Sequence, residues 1–158
     1  MNKKILIIGQ KGLIGSNLFK YLKQKKLAVY SISFENFLKK KNINKFDIVI
    51  NCTSNQKFIK NKYNISNDND MIIANKIIHS KIRLVMLSTR KVYKVKFNIK
   101  EYDKKKPICN YSKNKMKSEI SVEKILRNRV LILRISNLIN LPNKNRRKLH
   151  KTFSDIFF

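Results

Sequence analysis

The chain has 158 residues, 42% of them apolar, and its 37 Lys and Arg against 9 Asp and Glu give a formal charge of +28 at pH 7. That length supports one domain with its own core and excludes two ordinary ones. Clustered, this charge would point to nucleic acid or an acidic membrane surface. The lysines instead run through every segment, from Lys3-Lys4 to Arg146-Arg147-Lys148, which indicates a compositional habit and no specific nucleic-acid site.

Taken in chain order, the apolar run Lys4 to Ile8 predicts a first strand, and Gly9, Gly12 and Gly15 follow it in G-x-x-G-x-x-G spacing. Glycines so placed let the backbone turn sharply and approach a pyrophosphate, with the next helix offering free N–H groups to the anion. Ile14, Leu18 and Leu22 recur every fourth residue, so an amphipathic helix opens at the motif. An ordinary strand-turn-helix with packing glycines is the competing interpretation. Leu27 to Ile32 and Asp47 to Cys52 read as second and third strands, apolar enough to be buried on both faces. Asp68 or Asp70 caps a helix through Ile78, with Ile73 and Ile77 on one face. Leu84 to Leu87 is a fourth strand, Lys94 to Pro107 a lysine-rich loop, Tyr111 to Arg127 a helix, and Val130 to Ile135 a further buried strand. Strands alternating with helices predict an α/β fold, a Rossmann-like doubly wound parallel sheet with helices on both faces.

Cys52 and Cys109 stand far apart, with no metal-ligand spacing around either, so we expect no metal site, no disulfide, and a reducing, cytoplasmic location. The lysines and short apolar run of Met1 to Ile8 mimic a leader, but the run ends at Gly9 without a cleavage pattern, and no segment is long enough to span a bilayer. No membrane partner is expected.

Chemistry in open sheets is sought beyond the carboxyl ends of the strands. Two segments qualify, Ser88-Thr89-Arg90-Lys91-Val92-Tyr93 and Pro107-Ile108-Cys109-Asn110-Tyr111-Ser112-Lys113-Asn114-Lys115. Tyr111 and Lys115 are spaced i, i+4, which places a phenol and an ammonium on one helix face. A cation beside a phenol favours the phenolate and suits it to proton exchange with a hydroxyl. Chance pairs are expected in so lysine-rich a chain, Tyr21 with Lys25 being another, and taken alone the pair reads as a surface feature. Thr89 has a bland role too, as a strand-end hydroxyl satisfying backbone. Lone His79 and His150 read as structural or exposed.

The glycine turn after the first strand, S-T-x-x-V-Y after the fourth, P-x-x-x-Y-x-x-x-K at a helix start and the later strand Leu131-Ile132-Leu133-Arg134-Ile135-Ser136-Asn137 come in one order. That order resembles the extended short-chain dehydrogenase/reductase family, with its nucleotide-sugar epimerases, dehydratases and ketoreductases, from Lys4 to about Leu138. The resemblance implies an NAD(P)-dependent nucleotide-sugar epimerase or ketoreductase with Tyr111 as acid/base. Lys115 would hold the nicotinamide ribose and lower the phenol pKa, and Thr89 would bond the reacting oxygen. It also places Gly9, Gly12 and Gly15, with Leu13 and Ile14 between them, at the pyrophosphate, and Asn51, Cys52 and Thr53 under the cofactor.

Departures from the pattern narrow this expectation. Arg90-Lys91 stands where dehydratases carry an Asp-Glu pair, so dehydration is disfavoured, and Lys94 replaces a glycine. The second strand ends in Ser31 and Ser33 where an NAD enzyme places an acid, with Glu35 the one substitute at hand, and Lys11 resembles the basic residue of NADP-preferring relatives. NADP(H) is therefore favoured over NAD. The expected partner is a nucleotide-sugar substrate. Oligomeric state stays open, a homodimer included. We expect residues 1–138 to form the NAD(P)-binding Rossmann domain and residues 139–158 to begin a truncated substrate-binding region. The alternative is a non-catalytic dinucleotide-binding module acting as sensor or scaffold.

Overall fold

The computed structural model describes residues 3–136, so Asn137, His150 and the expected substrate-region start at 139–158 lie outside the described residues. Five parallel strands, β1 (Lys4–Ile8), β2 (Ala28–Ile32), β3 (Ile48–Asn51), β4 (Arg83–Thr89) and β5 (Val130–Ile135), form one sheet in the order β2-β1-β3-β4-β5. Ile5 of β1 pairs with Val29 on one side and Ile48 on the other. The chain therefore winds outward in both directions from β1 and β3, which opens a crevice at their carboxyl ends.

The alternation of side chains along each strand supplies two apolar faces. Leu6 and Ile8 of β1, with Val49, Leu84 and Met86, pack against Ile73 and Ile77 of α4 (Asn69–Ile77) and Val122 and Leu126 of α5 (Asn110–Leu126). Ile7, Val29 and Ile50 point the other way, onto Leu18 and Leu22 of α1 (Leu13–Gln24). The helix expected at the glycine motif is thus present with its predicted apolar stripe inward. Asp68, not Asp70, caps α4, its Oδ1 accepting from the N–H groups of Asp70 and Met71 at 3.1 and 3.2 Å.

The structure differs from the sequence-based expectation at four places, two short helices and two edge strands. Two short helices were not anticipated: α2 (Phe34–Lys39), capped by the Ser33 hydroxyl accepting from Asn36 N–H, and α3 (Gln56–Lys60), capped by Asn55. Each is too short for a hydrophobic period and is held instead by its cap and one buried ring, Phe37 or Phe58. The strands expected to be buried on both faces include two sheet edges. On β2, Tyr30 is 46% exposed, and on β5 Leu131 and Leu133 are 55% and 43% exposed while Val130 and Ile132 reach the core. The apolar run of β5 is compatible with full burial, but an edge strand has one free flank, and no helix among the described residues covers that outer face.

The lysine-rich loop from Lys94 to Pro107 has no regular secondary structure, yet it is tied down. Tyr93 bridges to Lys105, and Tyr93 Oη donates to the Glu101 carbonyl at 2.8 Å. The anchor is Glu119 on α5, fully buried, whose carboxylate accepts from Ser88 Oγ, from Lys105 Nζ at 2.8 Å and from Arg134 Nη2 at 2.8 Å. Arg134 also donates to Tyr93 Oη at 2.8 Å, so one carboxylate joins α5, β4, β5 and the loop. Burial pushes the Glu119 carboxyl up, but the bonds from Arg134, Lys105 and Ser88 outweigh it and hold it below the usual carboxylate range. Among the described residues, no helix is long and apolar enough to cross a membrane.

A carboxyl with a depressed folded-state pKa contributes stability that is present above its unfolded value and lost as pH falls through the folded one. Resistance of the wild type to urea is expected to weaken on acidification below about pH 4. Glu119→Gln is expected to lose about 3 kcal/mol at neutral pH, because two cations then lack their buried partner, and to show a flatter acid limb.

Candidate functional site

The crevice at the carboxyl ends of β1, β3 and β4 holds a groove of about 390 Å³, within the size range of small-molecule sites. The end of β3 lays Asn51, Cys52 and Thr53 along its floor. From β4 come Ser88 and Thr89, and α5 lends Tyr111 and Lys115. Ile14 of α1 and Lys91 complete the walls near the strand ends. Segments far apart in the chain are thus brought to one place by a sheet whose strands all run the same way.

The glycine turn abuts this floor. Gly9 has φ +103°, a conformation that L side chains rarely adopt, and a methyl there would also lie 2.9 Å from Thr53 Cγ2. A methyl on Gly15 would stand 2.2 Å from the Gly9 carbonyl oxygen, a clash with backbone that cannot yield. Gly12 is different. A methyl there meets nothing nearer than the Gly9 carbonyl at 3.4 Å, so the fold itself does not require glycine at this position. Gly12 is the N-cap of α1 and makes no side-chain cap bond, the first turn of α1 carries no acidic residue, and Lys11 beside it is exposed. An uncapped helix start with a bare Cα and a neighbouring cation suits an anionic bridge.

Lys115, which the surface reading would leave in solvent, is buried. Its Nζ donates to Asp70 Oδ2 at 2.8 Å and lies 5.5 Å from the centre of the Phe58 ring. Burial pulls its ammonium pKa down, but the Asp70 charge and hydrogen bond outweigh that, so the pKa stands above the ordinary lysine value. The other Asp70 oxygen accepts from Asn51 Nδ2 at 2.6 Å, and Asn51 Oδ1 accepts from Thr53 N–H at 2.9 Å and Thr53 Oγ1 at 2.7 Å. The floor and the α5 wall are therefore one hydrogen-bonded unit. Burial, reinforced by the Asp70 charge, pushes the Cys52 thiol up to about 11, which keeps it protonated and inert at neutral pH.

Of the residues singled out from sequence, Thr89, Tyr111, Lys115, Asn51, Cys52, Thr53 and Ile14 meet in the groove. Gly9 and Gly15 press against its floor. Thr89 Oγ1 also accepts from Lys91 N–H at 3.3 Å, the bland role considered for it. Leu13 opens α1, half-buried. Lys11 and Ser33 do not line the groove; they sit by the β1 and β2 ends, where Ser31 Oγ donates to Gln10 Oε1 at 3.4 Å and Ser33 is engaged as the α2 cap. Glu35 is exposed on α2. Asp70 escaped sequence reasoning as anything but a cap, although its i, i+3, i+7 spacing with Ile73 and Ile77 puts a carboxylate on the buried face of α4. Among the described residues no group of three His, Cys, Asp or Glu could hold a metal ion.

Comparison with solved structures finds the same fold repeatedly. A dTDP-4-dehydrorhamnose reductase from Clostridium acetobutylicum ATCC 824 is 25% identical at a TM-score of 0.66, over 83% of this chain and 52% of that one. A dTDP-4-dehydrorhamnose reductase from Bacillus anthracis str. Ames, in complex with NADP, is 21% identical at 0.67, over 86% and 54%. A UDP-glucuronic acid 4-epimerase from Bacillus cereus, in complex with NAD, is 18% identical at 0.65, over 85% and 57%. The chain thus spans just over half the length of these structures. No curated protein matches the sequence. The RmlD substrate-binding-domain profile, in contrast, matches residues 3–155, nearly the whole sequence. With that match and a parallel sheet shared with nucleotide-sugar reductases and epimerases, the chain belongs to the RmlD substrate-binding-domain family.

Proposed function

We propose that this chain is the cofactor-binding half of an NAD(P)-dependent nucleotide-sugar reductase or epimerase, with Tyr111 as its proton-exchanging group. One observation carries the reading: Thr89 from the end of β4 and the Tyr111–Lys115 pair from α5 line one groove whose floor touches the glycine turn. Residues 1–138 form the dinucleotide-binding unit in this reading, and residues 139–158 begin the region that meets the sugar.

When bound, the nicotinamide supplies or accepts the hydride. The chain's own residues do the rest. Gly9, Gly12, Leu13, Ile14 and Gly15 receive the pyrophosphate at the start of α1, and Asn51, Cys52 and Thr53 support the cofactor from below. Lys115, held charged by Asp70 beside Tyr111 in the groove, would hydrogen-bond the ribose of the bound cofactor. Tyr111 gives or takes the proton on the oxygen of the reacting carbon, and Thr89 fixes that oxygen by a hydrogen bond. Arg90 and Lys91, two cations, do not furnish the acid and base that elimination of water needs, so reduction or epimerisation is the better fit. The absence of an acid at the end of β2, where Ser31 and Ser33 stand, and the exposed Lys11 beside the turn support NADP(H) over NAD. The high density of lysine adds a positive field that draws phosphorylated ligands.

Parallel calorimetric titration with NADPH and NADH is the deciding experiment. NADPH is expected to bind the tighter, with Lys11→Ala narrowing the gap; failure of both to bind rejects the reading. Gly12→Ala is expected to keep the melting temperature and weaken NADPH by about tenfold, roughly 1.4 kcal/mol, whereas Gly15→Ala loses the fold itself. Tyr111→Phe is expected to leave cofactor affinity intact and lower nucleotide-sugar turnover by about 10²- to 10⁴-fold. Turnover unchanged by that substitution rejects the acid/base role, and cofactor binding with no turnover in the wild type favours a non-catalytic module.

A further inference from the structure

We propose that Asp70 is a positioning residue of this site: one carboxylate oxygen clamps the Lys115 ammonium and the other clamps the Asn51 amide, locking α5 to the groove floor. The inference rests on the role given to Lys115 above and adds a residue that neither the glycine turn nor the Tyr-Lys spacing marks.

A carboxylate that is 2% exposed survives only with partners, since an unpaired buried charge is strongly destabilising. Asp70 has both oxygens satisfied, by Lys115 Nζ at 2.8 Å and Asn51 Nδ2 at 2.6 Å. Its place in the first turn of α4 also sets the negative charge where the helix dipole favours it. What Asp70 receives in stability it returns as order. Lysine is a flexible chain that loses its proton readily when buried; a fixed counter-charge keeps this one protonated and in one place. The clamp consumes one of three ammonium hydrogens and leaves two donors for groups in the groove. Through Asn51 the same carboxylate sets the amide so that its carbonyl receives both the Thr53 N–H and hydroxyl, and Asn69 Nδ2 then donates to Thr53 Oγ1 at 2.9 Å. Floor and ammonium therefore keep a common register.

The other titratable groups around the pair do not replace this carboxylate. Asp68 on the same helix start is engaged by Ser118 Oγ and Tyr63 Oη, each at 3.0 Å, and by two backbone N–H groups. Tyr111 on α5, Cys52 at the end of β3 and Lys91 beyond β4 share the groove with Lys115, and none of them offers a carboxylate. Phe58 on α3 presents only its ring.

The test is an NMR titration of the full chain labelled with ¹³C at lysine Cε, Lys115 being assigned by its loss in Lys115→Met. In the wild type Lys115 is expected to titrate above the ordinary lysine range, and in Asp70→Asn at least about one unit lower, a tenfold weaker hold on its proton. Asp70→Glu, which keeps the charge, restores the high value. A wild-type Lys115 that titrates at or below the ordinary lysine range overturns the proposal whether or not any Asp70 variant folds, and so does an unchanged titration in Asp70→Asn. NADPH affinity of the wild type is expected to be flat between about pH 6 and pH 9, and that of Asp70→Asn to begin falling toward the upper end of that interval, about one unit earlier than in the wild type, as the unclamped ammonium loses its proton. Should neither coenzyme bind, the functional reading fails while the NMR result still decides the clamp.

Discussion

The site depends on how closely three backbones approach one another. The start of α1, the turn after β1 and the end of β3 meet where a single methyl on Gly15 would lie 2.2 Å from the Gly9 carbonyl and 3.4 Å from Cys52 Cβ. The chain has only three glycines, and all of them stand in this turn. Several caps elsewhere among the described residues are made by Ser, Asn and Asp side chains, as at Ser33, Asn55, Asn64 and Asp68. Gly9 and Gly15 stand where a side chain cannot be tolerated, and that close approach lets α1 aim its uncapped start, at Gly12, toward the crevice.

Around this contact the fold builds rigidity from polar networks. Tyr111, Lys115 and Glu119 succeed one another at intervals of four residues along one side of α5. Lys115 is bound to Asp70 and the groove floor, Glu119 to Ser88, Arg134 and the 94–107 loop. Both networks are closed: no buried side-chain polar atom among the described residues lacks a partner. Two buried ion pairs are a costly means of fastening a helix, and apolar contacts would be cheaper. Their return is geometric, because hydrogen-bonded charges hold α5 at one rotation and one height, and Tyr111 inherits that placement. The cation of Arg134 is in turn reached by the Tyr93 hydroxyl, so the irregular loop is fastened to the same scaffold as the strands.

Membership in the RmlD substrate-binding-domain family and a sheet shared with sugar-nucleotide reductases and epimerases give this scaffold its context. The relatives differ in the coenzyme they hold, NADP in one and NAD in another. In this chain the end of β2, where such preferences are expressed, is occupied by two serines, one bonded toward the glycine turn and the other engaged as a helix cap. The exposed outer face of β5, with Leu131 and Leu133, belongs to a chain that spans just over half the length of those relatives.

Local chemistry was legible in the residues alone: the strands Lys4–Ile8 and Val130–Ile135, the helix opening at the glycine turn, and the facing of Tyr111 with Lys115, because each follows from spacing within one element. The two short helices were not, since five or six residues are too few for a hydrophobic period to declare itself. Nor was the burial of β5, because an apolar run looks the same at the edge of a sheet as at its centre. Asp70 is the sharpest case. Its sequence neighbours suggest a cap, and only packing α4 against α5 and β3 turns that carboxylate toward Lys115 and Asn51, 45 and 19 residues away along the chain. Spacing fixes which side of a helix a residue occupies; what waits on that side is a property of the three-dimensional arrangement, and there the charge of a buried group finds the partner it cannot do without.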